Sequence, residues 1–170
     1  YKQDILIDWI VEENYKEVLD LQSDINQVHT VNLKNLKKEK SFAALVAEFK
    51  KIRNIGPYDL VIDMQGLIKS AIISRLIPTQ KTIGFDMLSI REKLASFFYS
   101  ETFFCSYDQN VIERNIKIIE FSIGFNSNLK QIKNKDPLFN PSNVAINSNL
   151  SKTKKNIIII PGASFRSKCY

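Results

Sequence analysis

Two basic residues follow two neighbouring apolar runs of the sequence, at positions that suit the binding of an anion. Lys69 comes four residues after Gln65, just beyond the run at 60–63, and Arg91 follows the run that ends at Phe85. Ligands of open parallel sheets bind beyond the carboxyl ends of the strands, and helix N-termini favour negative groups. We therefore expect Gln65, Lys69 and Arg91 to lie beside an anionic ligand. The alternative is a simple turn followed by two surface cations, each tolerable at a helix start.

A second candidate site lies in the segment from Gly162 to Cys169, which half resembles a phosphate-binding loop. It follows the apolar run at 156–160 and carries Ser164 and Lys168. The segment lacks the second glycine before the lysine, and the serine or threonine after it, that a Walker motif requires. An ordinary P-loop NTPase is therefore excluded, although backbone N–H groups and Lys168 could still bind a diphosphate. The chain has no G-x-G-x-x-G, so nicotinamide or flavin binding has no support and no cofactor is expected.

A basic run holds Lys34, Lys37, Lys38 and Lys40 in a chain whose formal net charge is +6. Such a run is either a solvated loop or a contact for an anionic partner. The aromatic residues do not interleave with these lysines, and no nucleic-acid-binding motif is present. We therefore do not expect a nucleic-acid partner.

The composition excludes several other classes of protein. His29 is the only histidine, and Cys105 and Cys169 are the only cysteines, so neither a metal site nor a disulfide scaffold is expected. A membrane-spanning helix needs ~20 consecutive apolar residues, and the chain has no such stretch. A reducing compartment is the expectation for a chain with so few cysteines.

These candidate residues need a scaffold that alternates strands and helices. Apolar runs predict strands, and apolar residues at helical spacing predict helices. Ser89 and Glu92 predict a capping box. Asp108 and Gly124 predict the start and end of a final helix, whose apolar stripe consists of Ile112, Ile116, Ile119 and Ile123. The predicted strands are 5–11, 28–33, 60–63, 81–85 and 156–160, and the predicted helices are 14–21, 42–52, 67–77, 90–99 and 109–123. This alternation predicts a doubly wound α/β layer structure.

The predicted organisation has three parts. Residues 1–125 form an α/β domain, and residues 126–155, with seven asparagines and two prolines, form a linker or crossing segment. Residues 156–170 hold a further predicted strand and the loop that follows it.

Four blocks of the sequence together resemble the lipopolysaccharide heptosyltransferase I family. They are IDWIVEE at 7–13, YDLVIDMQGLIKSA at 58–71, IGFD at 83–86 and REKLASFFYS at 91–100. QGLIKSA is the most specific block, and the strand before PGASFRSK resembles the family's entry into its second domain. The related heptosyltransferase II has a different sequence before its own lysine-serine-alanine, so the first family fits better.

The resemblance implies an inverting GT-B glycosyltransferase, in which two Rossmann-like domains face each other across a cleft. The N-terminal domain would bind the acceptor, Kdo-lipid A, and the C-terminal domain would bind ADP-heptose. By motif match, Ser164 and Lys168 would contact the donor diphosphate. The acceptor side would hold the remaining matched residues, which are Gln65, Lys69, Arg91, Lys34, Lys37 and Lys38.

The resemblance also implies that the matched residues do not include the catalytic base. The family begins with a strand and a glycine-aspartate loop, whose aspartate is the expected general base, so the first strand and the catalytic residue would lie upstream of Tyr1. We therefore expect the 170 residues alone to be inactive. The lipid acceptor implies a cytoplasmic enzyme associated peripherally with the inner membrane of a Gram-negative bacterium. Two alternatives stay open, another GT-B sugar-nucleotide transferase such as heptosyltransferase II and a non-catalytic α/β binding domain.

Overall fold

The computed structural model describes residues 5–20, 22–33 and 41–127, and their strands form two parallel sheets. The first sheet pairs β1 (Asp8–Glu12) with β2 (Gln27–Val31). The second has the order β3 (Tyr58–Asp63), β4 (Thr79–Phe85) and β5 (Glu101–Phe103). Because every pairing is parallel, the carboxyl ends of β3, β4 and β5 lie at one edge.

Helical segments connect these strands. A 3-10 turn (Glu13–Tyr15) and α1 (Lys16–Leu19) follow β1, α2 (Phe42–Arg53) precedes β3, and α3 (Ile68–Leu76) joins β3 to β4. A 3-10 helix (Lys93–Phe98) lies between β4 and β5, and α4 (Val111–Ile123) follows β5. The predicted Rossmann-like parallel sheet with flanking helices is therefore confirmed. None of these helices is long and apolar enough to cross a membrane.

Apolar side chains hold these elements together in two clusters that α3 connects. Ala71 of α3 packs with Ile83, Phe85 and Ile118, whereas Ile73 on the same helix packs in a cluster with β2 and α2. Full burial of an isoleucine stabilises a fold by ~1.5–3 kcal/mol. Helix α3 is therefore fixed from both sides, and so is the turn that precedes it.

Polar contacts join the first sheet to β3. The Tyr58 hydroxyl donates to Asp8 Oδ2 at 2.5 Å, and His29 Nε2 lies 2.9 Å from that hydroxyl and 3.3 Å from Asp8 Oδ2. Partial burial acts to raise the pKa of Asp8, but hydrogen bonds from Tyr58, Asn26 and His29 outweigh it and hold that pKa below its usual value. His29 is thus a strand residue in a structural contact.

Two predicted helix starts are wrong. Ser89 and Glu92 form no capping box, because the Ser89 hydroxyl donates to Asp86 Oδ1 at 2.5 Å and Glu92 reaches another helix. The segment predicted as a helix over 90–99 is instead a 3-10 helix that begins at Lys93. The side chain that caps α4 belongs to Asn110, not Asp108, and it accepts the Ile112 N–H at 2.9 Å.

The predicted apolar stripe of α4 is also displaced. Ile112 is 63% exposed and Ile123 is 39% exposed, whereas Ile118 is fully buried and Arg114 is 8% exposed. Residues 114 and 118 are four apart and therefore share a helix face. The buried face of α4 thus includes a charged residue. The end of α4 agrees with the prediction, because Gly124 adopts the left-handed conformation with φ of 76°.

Candidate functional site

The turn after β3 is shaped by one buried carboxylate. Asp63 is 5% exposed, and its Oδ1 accepts the backbone N–H groups of Gln65 at 2.8 Å and Gly66 at 3.4 Å. Its Oδ2 accepts the hydroxyls of Ser70 at 2.7 Å and Tyr99 at 2.8 Å. Aspartate favours such turns because its short side chain bonds the backbone two residues ahead. Asp63 therefore fixes the backbone that carries Gln65.

Gly66 lets this turn approach the loop after β4. Its φ is +64°, and a Cβ added there would lie 2.3 Å from Cγ2 of Ile90. A side chain is excluded both by that contact and by the left-handed backbone. The turn therefore packs directly on Ile90, the residue before Arg91.

Glu92 connects the loop after β4 to helix α3. Its Oε2 accepts the Ile68 N–H at 2.7 Å, at the first residue of α3. A carboxylate at a helix N-terminus is stabilised by the helix dipole. The Glu92 carboxylate thus occupies the N-terminus of α3. Lys69, the next residue of this helix, is exposed.

Gln65 and Arg91 line one cavity of about 330 Å³ at the carboxyl ends of β3 and β4. Lys69 does not line it. Besides these two residues, the wall consists of Met64, Gly66, Leu67, Phe85, Ile90, Tyr107, Val111, Arg114 and Asn115. The described wall contains two arginines and no acidic side chain, so its electrostatic character is positive.

Arg114 is a wall residue that sequence reasoning missed. It extends from α4, and its guanidinium lies 4.7 Å from the centre of the Phe85 ring and 5.1 Å from that of Tyr107. One terminal nitrogen donates to the Ser89 carbonyl oxygen. The available signal was its spacing of four residues before Ile118, which places both on one helix face. A charged residue on a buried face is unusual unless it has a partner.

Several predicted residues lie outside the described part of the chain. These are the basic-run residues Lys34, Lys37 and Lys38, and the loop residues Ser164 and Lys168. Their roles, and the division at residues 125 and 155, stay predictions. Within the described ranges, no group of three or more histidine, cysteine, aspartate or glutamate residues could hold a metal ion.

The arrangement can bind an anion that also carries hydroxyl groups. Arginine side chains bind carboxylates and phosphates, and three other lining residues, Gln65, Asn115 and Tyr107, carry hydrogen-bonding groups. Its volume is at the small end of the range for small-molecule sites, ~300–1,000 Å³. The cavity therefore suits one small polar unit of a larger molecule.

Comparison with known proteins gives consistent matches. Residues 45–170 match the family described as Glycosyltransferase family 9 (heptosyltransferase). Lipopolysaccharide heptosyltransferase 1 of Campylobacter coli is 31% identical over 175 residues, which cover 100% of this chain and 49% of that protein. Lipopolysaccharide heptosyltransferase 1 of Escherichia coli K12 is 34% identical over 125 residues, which cover 71% of this chain and 39% of that protein. The chain thus spans about half the length, or less, of the curated relatives it matches.

A similar solved structure is that of the Escherichia coli heptosyltransferase WaaC with ADP-2-deoxy-2-fluoro heptose. It superposes with a TM-score of 0.68 at 31% sequence identity, covering 75% of this chain and 41% of WaaC. The structure of the same enzyme with ADP gives a TM-score of 0.67.

Proposed function

Because the chain belongs to glycosyltransferase family 9, the heptosyltransferases, we propose that the protein containing it transfers heptose from ADP-heptose to the Kdo of the lipopolysaccharide inner core. The transfer inverts the configuration of the anomeric carbon. The described residues form the acceptor side of the enzyme.

The positive cavity carries this proposal. It lies at the sheet edge where ligands of parallel α/β folds bind, and its described wall holds Arg91, Arg114 and Gln65 without an acidic residue. Kdo carries a carboxylate and lipid A carries phosphates, so an acceptor built from them meets a wall of matching charge. A neutral acceptor would leave the positive charges of Arg91 and Arg114 without a counter-charge.

An inverting transfer needs two kinds of chemical help. A general base removes the proton of the acceptor hydroxyl as that oxygen attacks the anomeric carbon, and positive groups stabilise the ADP that departs. We assign the second task to Ser164 and Lys168, which follow an apolar run in the sequence. No described residue is assigned as the base.

We place the reaction at the cytoplasmic face of the inner membrane. Kdo-lipid A is anchored there by its acyl chains, so the enzyme must reach its acceptor at the membrane surface. Lysines near an anionic leaflet contribute ~1 kcal/mol each to binding at that surface. Lys34, Lys37 and Lys38 are the residues proposed to contact the anionic acceptor at this surface.

Release of ADP by the full-length protein tests the proposal. With ADP-heptose and Kdo-lipid A, we expect ADP release that depends on both substrates, and NMR of the product should show an anomeric configuration opposite to that of the donor. Release only with an acceptor that already carries one heptose would assign the protein to heptosyltransferase II instead. Binding of neither substrate would return the chain to the class of non-catalytic α/β domains.

A further inference from the structure

Arg114 is a buried cation that lacks a negative partner. It is 8% exposed, its Nε has no hydrogen-bond partner among the described residues, and it takes part in none of the ion pairs formed within that part of the chain. Burial of a charge without its counter-charge is strongly unfavourable. The rings of Phe85 and Tyr107 offset only part of this cost, and the Ser89 carbonyl is a neutral acceptor. A negative group from outside the described chain would complete this site.

Asn115 indicates what else that group must carry. Its Oδ1 is also buried without a hydrogen-bond partner among the described residues, and Asn115 lines the same cavity as Arg114. Arg114 offers donors and therefore requires an anionic acceptor, whereas the Asn115 oxygen requires a donor. A carboxylate with a neighbouring hydroxyl supplies both within one molecule. A phosphorylated sugar with a neighbouring hydroxyl offers the same pair of groups, and the acceptor comparison below distinguishes it from a carboxylated sugar.

The two residues therefore point to an anionic sugar with a free hydroxyl, and the Kdo of the proposed acceptor is such a sugar. We propose that Arg114 and Asn115 form the subsite that binds a carboxylated sugar of the acceptor, with Arg114 on the carboxylate and Asn115 on an adjacent hydroxyl. Arg91, an exposed residue that lines the same cavity, adds positive charge. This inference rests on the proposed function and specifies which unit of the acceptor the cavity binds.

A paired comparison of acceptors tests this subsite in the full-length protein. The first acceptor is Kdo-lipid A, and the second is the same molecule with the Kdo carboxyl reduced to an alcohol. Arg114→Gln should lower kcat/KM by about 10- to 100-fold with the first acceptor, the range for a hydrogen bond to a charged group. With the reduced acceptor, the kcat/KM values of the variant and the wild type should agree within about twofold, because that acceptor has no carboxylate for Arg114 to bind. Arg75→Gln, at an exposed arginine of α3, is the matched control and should change neither value.

Three results would overturn the proposal. Equal losses with both acceptors would mean that Arg114 supports the fold or another step. A wild-type enzyme that uses both acceptors equally well would have no carboxylate subsite. An Arg114 effect that persists with the reduced acceptor, but disappears when the lipid A phosphates are removed, would assign the group to a phosphate.

Asn115 variants test the same site if Arg114→Gln fails to fold. Asn115→Asp introduces a like charge that repels a carboxylate, whereas Asn115→Ala only removes the oxygen. The aspartate variant should have an acceptor KM about tenfold above that of the alanine variant with Kdo-lipid A, and about the same KM with the reduced acceptor. Equal values with Kdo-lipid A would contradict the subsite.

If the proposed heptosyl transfer is wrong, the subsite can still be tested by binding. If the wild type releases no ADP with either acceptor, calorimetry with the α-methyl glycoside of Kdo tests the subsite alone. Binding to the wild type that Asn115→Asp abolishes would support it, and absence of binding to the wild type would overturn it.

Discussion

Replacing Tyr99 by phenylalanine removes one donor from the group of hydrogen bonds that shapes the turn after β3. The Tyr99 hydroxyl donates to Asp63 Oδ2 at 2.8 Å, and the Tyr99 side chain is 8% exposed. The ring itself packs against Gly84, where an added Cβ would come within 2.3 Å of it. Phenylalanine keeps this ring contact, so the substitution isolates the hydrogen bond.

The expected cost is that of one hydrogen bond to a charged group, ~1.5–3 kcal/mol. Asp63 keeps its other three donors, Gln65 N–H, Gly66 N–H and the Ser70 hydroxyl, so the turn should persist. We expect the free energy of unfolding to fall by ~2 kcal/mol at pH 7, measured by urea denaturation of the full-length protein with far-UV circular dichroism.

The contribution of Tyr99 should also depend on pH. Burial, followed by the negative charge of Asp63, raises the pKa of Tyr99 in the folded protein. The hydroxyl therefore stabilises the fold fully below the unfolded-state pKa of ~10, and this contribution is lost as the pH rises above it. The difference between wild type and Tyr99→Phe should be constant from pH 7 to 9 and decline above pH 10, by at most ~1.4 kcal/mol per pH unit.

Tyr107→Phe is the matched control for stability. Tyr107 is 55% exposed, and its hydroxyl has no hydrogen-bond partner in the described ranges. Its loss should change the free energy of unfolding by less than ~0.5 kcal/mol. A Tyr99→Phe variant as stable as this control, or a difference that stays constant to pH 11, would refute the role given to Asp63 and Tyr99.

Three further predictions concern the complete enzyme and its parts. Substitution of Lys34, Lys37 and Lys38 together by alanine should raise the KM for the acceptor and leave the affinity for ADP-heptose unchanged. The acceptor KM should also depend less on salt, because exposed charges are screened over ~8–10 Å. Unaltered acceptor kinetics at low salt would assign these lysines to a solvated loop. Lys168→Ala should lower kcat by an amount equivalent to ~2–4 kcal/mol, with little change in thermal stability. Lys168→Arg should restore part of the lost kcat. Full kcat or early unfolding of the alanine variant would contradict the donor assignment. The isolated 170 residues should release no ADP, because they span about half the length of the curated relatives; turnover by them would show that the base lies within this chain.

The parallel layer structure and one edge of the site could be predicted from the sequence. Apolar runs define strands that are buried on both faces, and the rule for strand ends then selects the residues beyond β3 and β4. Gln65 and Arg91 meet at that edge because β3 and β4 pair in parallel register, with Asp63 opposite Gly84. Gly124 was equally predictable, because a left-handed residue at a helix end favours glycine.

Long-range hydrogen bonds account for what the sequence did not predict. Ser89 and Glu92 have the spacing of a capping box, but Glu92 is better placed 24 positions away in the chain, on the Ile68 N–H. No local pattern contains that contact. Helix-terminus arguments group Lys69 with Arg91, yet Glu92 occupies the helix N-terminus beside Lys69. Helical periodicity of apolar residues does not identify Arg114, because this buried face combines an arginine with Ile118.

The acceptor KM of Arg91→Ala in the full-length enzyme tests the central assignment most directly. Arg91 lines the cavity, whereas the exposed Lys93, two residues on, does not, so Lys93→Ala is the matched control. We expect Arg91→Ala to raise the KM for Kdo-lipid A by about tenfold or more, with the KM for ADP-heptose unchanged and no effect of Lys93→Ala on either. An unchanged acceptor KM, or an equal rise in the Lys93 variant, would contradict the assignment of this cavity to the acceptor.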